Sequence, residues 1–164
     1  MKKLLIVVLF SIFVVLPVSA QSRVDKFLGN WKMTKIESGA KDSTVNSLTM
    51  NVSLDGKEIK INQTAQGVND GKDYNDTINS SYRLNGAAST QPAGGQFGGT
   101  LIRYMTVHTP GKIEFSLGLR SDSSPSSPVG MVAVELWTLS DDAKTLTIES
   151  RTRHSSSKTI FSKQ

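Results

Sequence analysis

Alternation of apolar and polar residues at every second position is the dominant pattern of this chain. In residues 48–54 each even-numbered residue is apolar and each odd-numbered residue is polar. That is the period of a β-strand with one face buried and the other in solvent. Asp55 and Gly56 follow, a pair typical of a tight hairpin turn, and the alternation resumes with Ile59 and Ile61. We therefore expect an antiparallel hairpin here.

Similar segments recur along the rest of the chain, whereas a helical period persists nowhere for three turns. Only residues 24–28 are compatible with a single turn of helix. Strands joined by hairpin-length connections, without crossover helices, favour antiparallel pairing. A sheet of this size must bury its apolar face, so we predict an all-β, antiparallel up-and-down barrel of about eight to nine strands. The predicted strands lie at 30–37, 48–54, 59–62, 74–84, 101–108, 113–120, 129–139, from 146 onward, and at 158–162.

The first twenty residues differ from the rest. Lys2 and Lys3 precede an apolar run at 4–16, Pro17 ends that run, and residues 18–20 are Val-Ser-Ala, small residues of the kind that signal peptidases recognise. The run is shorter than the roughly 20 residues of a membrane-spanning helix. We expect residues 1–20 to be a cleaved signal peptide and residues 21–164 to form one barrel domain. The mature protein would then be periplasmic or secreted, from a bacterial host, with no membrane span.

Composition excludes several kinds of site. The 164-residue chain has no cysteine, and therefore no disulfide scaffold, zinc–thiolate site or cysteine nucleophile. Without the signal segment its net charge falls from +5 to +3, too small a surplus to predict nucleic-acid binding. His108 and His154 have no second ligand at a metal-binding spacing. No phosphate-loop, serine-hydrolase or zinc-protease motif is present. We predict no enzyme activity, no metal and no cofactor.

Three polar segments separate the strands. Residues 85–99 are rich in Gly, Ala, Gln and Ser, and residues 121–128 read Ser-Asp-Ser-Ser-Pro-Ser-Ser-Pro. Neither segment can bury much apolar area, so we expect both to be loops at a rim of the barrel. Residues 69–76 hold three aspartates and two asparagines, a pattern compatible with a calcium-binding loop or with an Asx-rich turn.

Two short motifs resemble those of the lipocalin-like, or calycin, barrels. The first is Phe-Leu-Gly-Asn-Trp at residues 27–31, which places Gly-x-Trp at the entry to the first strand. The second is Trp-Thr-Leu-Ser-Asp-Asp-Ala-Lys-Thr-Leu-Thr at residues 137–147. It is similar to a segment of small exported bacterial proteins of that class, most of them of unknown function. The chain therefore resembles a small exported bacterial protein with a lipocalin-like domain.

The resemblance implies how one end of the barrel is closed. Gly29 and Trp31 would form a plug at the start of the first strand, and an arginine of a late strand would pack across the indole. Arg151 and Arg153 lie on a suitable late strand. Without the resemblance, a tryptophan at the start of an alternating strand is still most simply a core residue, because its burial removes about 200 Å² from water.

A barrel of about eight strands is either filled by side chains or holds one small ligand. Our first hypothesis is therefore non-catalytic binding of a small apolar or amphipathic molecule, supported if a cavity above roughly 300 Å³ is present. An alternative is a structural or protein-interaction module that acts through the 85–99 and 121–128 loops. The predicted ligand-lining residues are Met33, Met50, Ile61, Ile78, Tyr82, Met105, Phe115 and Trp137.

Glu135 is the only acid in the nearly continuous apolar segment 129–139, which is typical of a strand covered on both faces. If Glu135 points inward it needs a partner such as Arg103 or Arg151, because an unpaired buried carboxylate is costly. The sequence leaves open whether Glu135 forms a buried ion pair or serves as a polar anchor for a ligand.

Overall fold

A computed structural model describes residues 23–37, 43–93, 99–121 and 129–164 of the chain. The predicted signal peptide at 1–20 lies outside these residues, as do 94–98 of the first predicted loop and 122–128 of the second. Within the described ranges, no helix is both long enough and apolar enough to cross a membrane.

Within the described residues, ten strands form one antiparallel sheet that curves into a nearly closed barrel. This confirms the predicted fold class, with one or two strands more than expected. A short 3-10 helix, η1 (Asp25–Phe27), precedes the sheet at the predicted single turn. The strands are β1 (Gly29–Ile36), β2 (Ser43–Asp55), β3 (Glu58–Asn69), β4 (Lys72–Arg83), β5 (Ser89–Pro92), β6 (Thr100–Thr109), β7 (Lys112–Arg120), β8 (Gly130–Leu139), β9 (Thr145–Thr152) and β10 (Ser156–Lys163).

The strand order is β4-β3-β2-β1-β10-β9-β8-β7-β6-β5. Every strand therefore pairs with its neighbours in sequence, except at the seam, and β1 joins the two halves by pairing with both β2 and β10. The edges of the sheet are β4 and β5, which approach each other without a ladder among the described residues. In the described part of the chain the barrel consequently has a seam between β4 and the paired strands β5 and β6.

β5 lies inside segment 85–99, which the sequence predicted to be a loop. Its four residues, Ser-Thr-Gln-Pro, show no alternation. They become a strand by pairing with β6, from Ser89 opposite Arg103 to Pro92 opposite Thr100. Proline is tolerated here because an edge strand need not donate every backbone hydrogen bond. A strand held only by tertiary pairing leaves no local signal in the sequence.

Residues with left-handed backbone conformations form the turns of the two longest hairpins. Gly56, between β2 and β3, has a φ of +59°. Asp70 and Gly71, between β3 and β4, have φ values of +49° and +73°, and a type I′ turn requires two such residues. Segment 69–76 is thus an Asx-rich hairpin. The described residues contain no cluster of three or more side chains that could hold a metal ion.

One end of the barrel, which we call the closed end, is plugged by Val24, Phe27 and Trp31. Val24 and Phe27 are fully buried and Trp31 is 1% exposed. The indole Nε1 of Trp31 donates a hydrogen bond to the carbonyl oxygen of Phe27 at 2.8 Å. The single turn η1 is therefore tied to the first strand by both apolar contact and a buried hydrogen bond.

The outer face of β1–β4 is polar, as the alternation predicts. Asn30, Asn51, Asn62 and Asn79 form one exposed row across these four strands. Asn51 Nδ2 donates to Asn30 Oδ1 at 2.7 Å, and Asn62 Nδ2 donates to Asn79 Oδ1 at 2.5 Å. Because successive side chains of a strand point to opposite faces, the residues that flank these asparagines point into the barrel.

β8 departs from its predicted environment. Val132 is 41% exposed, and Val134 and Leu136 on the same outer face are half-buried. The apolar run at 129–139 is therefore not covered on both faces by the described residues. Its inner face, which carries Glu135 and Trp137, belongs to the interior of the barrel.

Candidate ligand-binding site

A cavity of about 190 Å³ lies inside the barrel, between β3, β4, β6, β7 and β8. Its lining residues follow one another at intervals of two along each strand, so the alternation itself directs them inward. The apolar lining consists of Ile61, Ile78, Phe115, Leu117, Ala133 and Trp137. The polar lining consists of Gln63, Ser80, Tyr82, Arg103 and Glu135.

Three aromatic side chains form a continuous wall of the cavity. The ring centres of Tyr82 and Phe115 are 4.5 Å apart, with the rings inclined by 54°. Those of Phe115 and Trp137 are 4.7 Å apart, inclined by 67°, an edge-to-face arrangement. Such pairs are favourable beyond the area they bury, and each ring fixes the orientation of the next. The apolar side of the site is therefore held together by direct contacts between its rings.

Arg103 places a positive charge in the wall of the cavity. It is only 7% exposed, and its Nη1 donates a hydrogen bond to Gln91 Oε1 on β5 at 2.8 Å. No carboxylate of the described residues forms an ion pair with it. A buried guanidinium has five N–H donors, and an unpaired buried charge is costly. Arg103 is thus held by a neutral amide and has donors available for an anion.

Tyr82 lies close to both charged groups of the cavity. Burial raises the pKa of the Tyr82 hydroxyl above its ordinary value of 10.0, and the negative charge of Glu135 raises it further. The positive charge of Arg103 and hydrogen bonding to Ser80 and Arg103 act in the opposite direction. Tyr82 therefore keeps its proton at neutral pH and remains both a donor and an acceptor.

Glu135 is half-buried and is held by neutral donors. Trp137 Nε1 donates to its Oε2 at 3.0 Å, and Ser150 Oγ donates to its Oε1 at 3.4 Å. Neither arginine considered from the sequence is in ion-pair contact with it. Arg151 instead points outward, with a side chain that is 74% exposed and 3.7 Å from Glu149. The ion-pair interpretation of Glu135 is therefore wrong for the described residues.

The structure brings together five of the eight side chains predicted to line a ligand, namely Ile61, Ile78, Tyr82, Phe115 and Trp137. The three methionines lie elsewhere. Met50 is buried beside Trp31 in the closed end, and Met33 is only partly buried. Met105 lines an open depression of about 420 Å³ together with Arg23 and Leu84. Alternation shows which face a residue occupies, but not its height in the barrel.

Of the polar lining residues, Tyr82 was predicted as a ligand contact, and Glu135 was left open between an ion pair and a ligand anchor. Gln63, Ser80 and Arg103 were not predicted as ligand contacts, although Arg103 was considered as an ion-pair partner. A signal was present in the sequence, because each shares its facing with an apolar neighbour two residues away. Gln63 follows Ile61, Ser80 lies between Ile78 and Tyr82, Arg103 precedes Met105, and Glu135 precedes Trp137. A polar residue at an inward-facing strand position is therefore the sequence pattern that indicates a polar group in the cavity.

The cation across Trp31 is a lysine and not an arginine. Lys163 Nζ lies 5.3 Å from the centre of the Trp31 ring. Gly29 has a φ of +122°, and a Cβ at this position would lie 3.2 Å from Lys163 Cε. Arg151 and Arg153 are exposed at the opposite end of the barrel, because β9 runs away from the closed end. The predicted arginine contact is therefore wrong.

No protein-family model matches this chain, and no curated protein matches its sequence. The fold is that of the fatty-acid-binding-protein barrels, a calycin-type fold. Fatty-acid-binding protein 1 of Echinococcus granulosus is 16% identical with a TM-score of 0.54, over 84% of this chain and 97% of that one. The Schistosoma mansoni fatty-acid-binding protein in complex with arachidonic acid is 11% identical with a TM-score of 0.55, over 87% and 98%. A single-residue mutant of the fluorescent protein UnaG is 13% identical with a TM-score of 0.52, over 86% and 98%.

Proposed function

We propose that this chain is a non-catalytic barrel that binds one small amphipathic molecule in its cavity. The apolar part of the ligand lies against Ile61 and Phe115, and an acidic group faces Arg103. The observation that carries the proposal is a buried arginine, without an acidic partner among the described residues, in the wall of a cavity that Ile61 and Phe115 also line.

Binding is favourable because the ligand supplies what each wall lacks. Contact with the apolar wall removes apolar surface from water, worth about 25 cal/mol per Å². An acidic oxygen beside Arg103 gives the guanidinium a charge-assisted hydrogen bond, roughly twice as strong as a neutral one. The hydroxyl of Tyr82, which lines the same cavity on β4, donates a second hydrogen bond to the acidic group of the ligand.

The size of the cavity limits what fits. At about 190 Å³ it is smaller than the roughly 300 Å³ that we expected of a ligand pocket. An engineered cavity of about 150 Å³ in another protein binds benzene. The present cavity therefore holds a small ring or a chain of a few carbons, and a longer ligand has to extend outside.

Ile78 marks the route by which a ligand enters or extends. It lines the cavity and is nevertheless 57% exposed. It lies on β4, one edge of the sheet, beside the seam that faces β5 and β6. The fatty-acid-binding proteins that share this fold support an apolar ligand with an acidic group, and the smaller cavity here favours a shorter one.

The test is a titration of the purified protein with straight-chain fatty acids of increasing length, followed by calorimetry. We expect saturable binding of one acid per chain, and recovery of the acid chemically unchanged. Arg103→Gln weakens that binding by about tenfold, the effect of removing one hydrogen bond between charged groups. Arg83→Gln is the matched control, because Arg83 is an exposed arginine on the outer surface. Absence of saturable binding at every chain length contradicts the proposal.

We further propose that the protein acts after export from a bacterial cell. The support is the sequence of residues 1–20, with two lysines, an apolar run and a small-residue cleavage motif. An exported protein binds its ligand outside the cytoplasm, so we expect the ligand to be a molecule of the periplasm or the medium.

A further inference from the structure

Glu135 adds a second charge to the cavity, which the proposed binding of an acid does not use. It lies on β8, directly across from Phe115 on β7 and Ser150 on β9. Trp137 Nε1 and Ser150 Oγ donate to its two oxygens at 3.0 and 3.4 Å. A carboxylate has about four acceptor sites, so about two stay open.

The charges of Arg103 and Glu135 share one cavity without neutralising each other. Both side chains line it, and the described residues provide no ion pair between them or from either to another residue. Gln91 accepts one hydrogen bond from Arg103, and the indole of Trp137 and the hydroxyl of Ser150 each donate one to Glu135, so both charged groups keep open hydrogen-bonding sites. Because Arg103 and Glu135 form no ion pair with each other and are hydrogen-bonded to neutral groups, each can bind a ligand group of opposite charge. We call these two charged groups the poles of the cavity.

A ligand with one acidic group fits only half of this arrangement. Its negative charge approaches Arg103 but also enters a cavity that contains the carboxylate of Glu135, and like charges in a low dielectric repel strongly. The two charged groups are close, because Arg103 and Glu135 both line the same cavity of about 190 Å³. A molecule with an acid and a donor cation satisfies Arg103 and Glu135 together.

We infer that the cavity selects a small dipolar molecule, whose acidic group faces Arg103 and whose ammonium or other N–H donor faces Glu135, on a short apolar body. This inference rests on the proposed function, since it requires that the cavity binds a ligand. The chemical class is that of an apolar amino acid or an amino-substituted short fatty acid. Gln63, which has no side-chain hydrogen bond among the described residues, offers a further amide to such a polar ligand.

The test compares four molecules with the same six-carbon body by calorimetry: hexanoate, hexylamine, 2-aminohexanoate and 6-aminohexanoate. We expect at least one of the two aminohexanoates to bind about tenfold more tightly than hexanoate and hexylamine, the gain from one additional charged hydrogen bond. The position of the amino group in the tighter ligand then shows whether the poles are met by one end of the ligand or by both.

Glu135→Gln assigns the effect to the second pole. It retains a carbonyl oxygen for Trp137 Nε1 and removes the negative charge, so the aminohexanoate advantage is lost while hexanoate binds at least as well as before. Glu149→Gln is the matched control, because Glu149 is on the next strand with a side chain that is 44% exposed on the outer surface. If Glu135→Gln disturbs the fold, Ser150→Ala is the second variant. It removes one donor but leaves the carboxylate of Glu135 intact, so we expect it to retain the aminohexanoate advantage.

The outcomes separate this inference from the proposed function. If hexanoate binds and neither aminohexanoate binds more tightly, the dipolar ligand is refuted and binding of an acid stands. If Glu135→Gln leaves the aminohexanoate advantage unchanged, the second pole is refuted. If none of the four molecules and none of the longer fatty acids binds, both proposals fall.

Discussion

Lys163 Nζ lies 5.3 Å from the centre of the Trp31 ring, and the two residues are direct cross-strand partners on β10 and β1. The same ammonium donates to the carbonyl oxygen of Lys26 in η1 at 3.2 Å. One side chain near the end of the chain thus joins the last strand, the first strand and the short helix. This contact therefore links the three elements that meet at the closed end of the barrel.

Replacing this lysine should destabilise the barrel. Lys163→Met retains an apolar stem but loses the cation–π contact and the hydrogen bond, so we expect the free energy of unfolding to fall by about 1–2 kcal/mol. Urea denaturation measures it. Lys112→Met, at an exposed hairpin position, is the control and should change little. A loss at Arg151→Met as large as that at Lys163→Met would show that the assignment of the cation is wrong.

Gly29 should tolerate no side chain. Its φ of +122° is a conformation that other residues rarely adopt, and a Cβ there would also press on Lys163 Cε. We expect Gly29→Ala to cost about 1–3 kcal/mol of stability. Gly111→Ala is the matched substitution, because a Cβ at Gly111 meets only Leu139 Cβ at an ordinary 4.0 Å. Equal melting temperatures for the two variants would be incompatible with a strained Gly29.

The Gly-x-Trp motif at residues 29–31 could be recognised from the sequence, but the residue that contacts Trp31 could not. Alternation is a local property, so the hairpin around Gly56 and the inward direction of Ile61 could be predicted from it, whereas the inward face of the nearly continuous apolar segment 129–139 could not. Lys163 could not, because its place over Trp31 depends on the register between the first and last strands. Register across a barrel is set by how the whole sheet closes.

The candidate site divides in the same way. Its aromatic wall follows from inward-facing positions on β4, β7 and β8, whereas the polar wall needs knowledge of which strands meet at one height. The tertiary pairing of β5 with β6 brings Gln91 to Arg103, and no local pattern announces either the strand or the contact. The methionines were misplaced because their flexibility says nothing about their position along the barrel.

Tyr82 should make the stability of the fold decrease at alkaline pH. Its pKa is raised in the folded protein, chiefly by burial, so the folded state holds the proton more firmly than the unfolded chain. Its contribution to stability is therefore complete below pH about 10 and is lost as the pH rises through the raised pKa. Denaturant unfolding at increasing pH should show this loss, together with late appearance of tyrosinate absorbance. In Tyr82→Phe the late absorbance should be absent and the loss of stability should be smaller; an undiminished loss in that variant would assign it to another group.

Export predicts a defined new N-terminus. Expressed with a C-terminal tag in a bacterial host, the protein should be recovered outside the cytoplasm and should begin at Gln21, because Val18-Ser19-Ala20 precedes that bond. Intact-mass measurement detects the loss of residues 1–20. A variant with Ala20 replaced by a bulky residue should retain the segment. Full-length protein in the cytoplasm of the wild type would contradict export.

The most direct test of a ligand inside the barrel is methyl NMR of isoleucine-labelled protein during addition of 6-aminohexanoate, 2-aminohexanoate and hexanoate. We predict saturable shifts of the Ile61 and Ile78 methyl groups, which line the cavity, and none of Ile160, which pairs with Lys35 on the outer face of the sheet. Ala133→Leu, which fills the cavity, should abolish the shifts, whereas Val132→Leu on the outer face should retain them. Shifts confined to Ile160, or unchanged shifts in Ala133→Leu, would contradict a binding site in the interior.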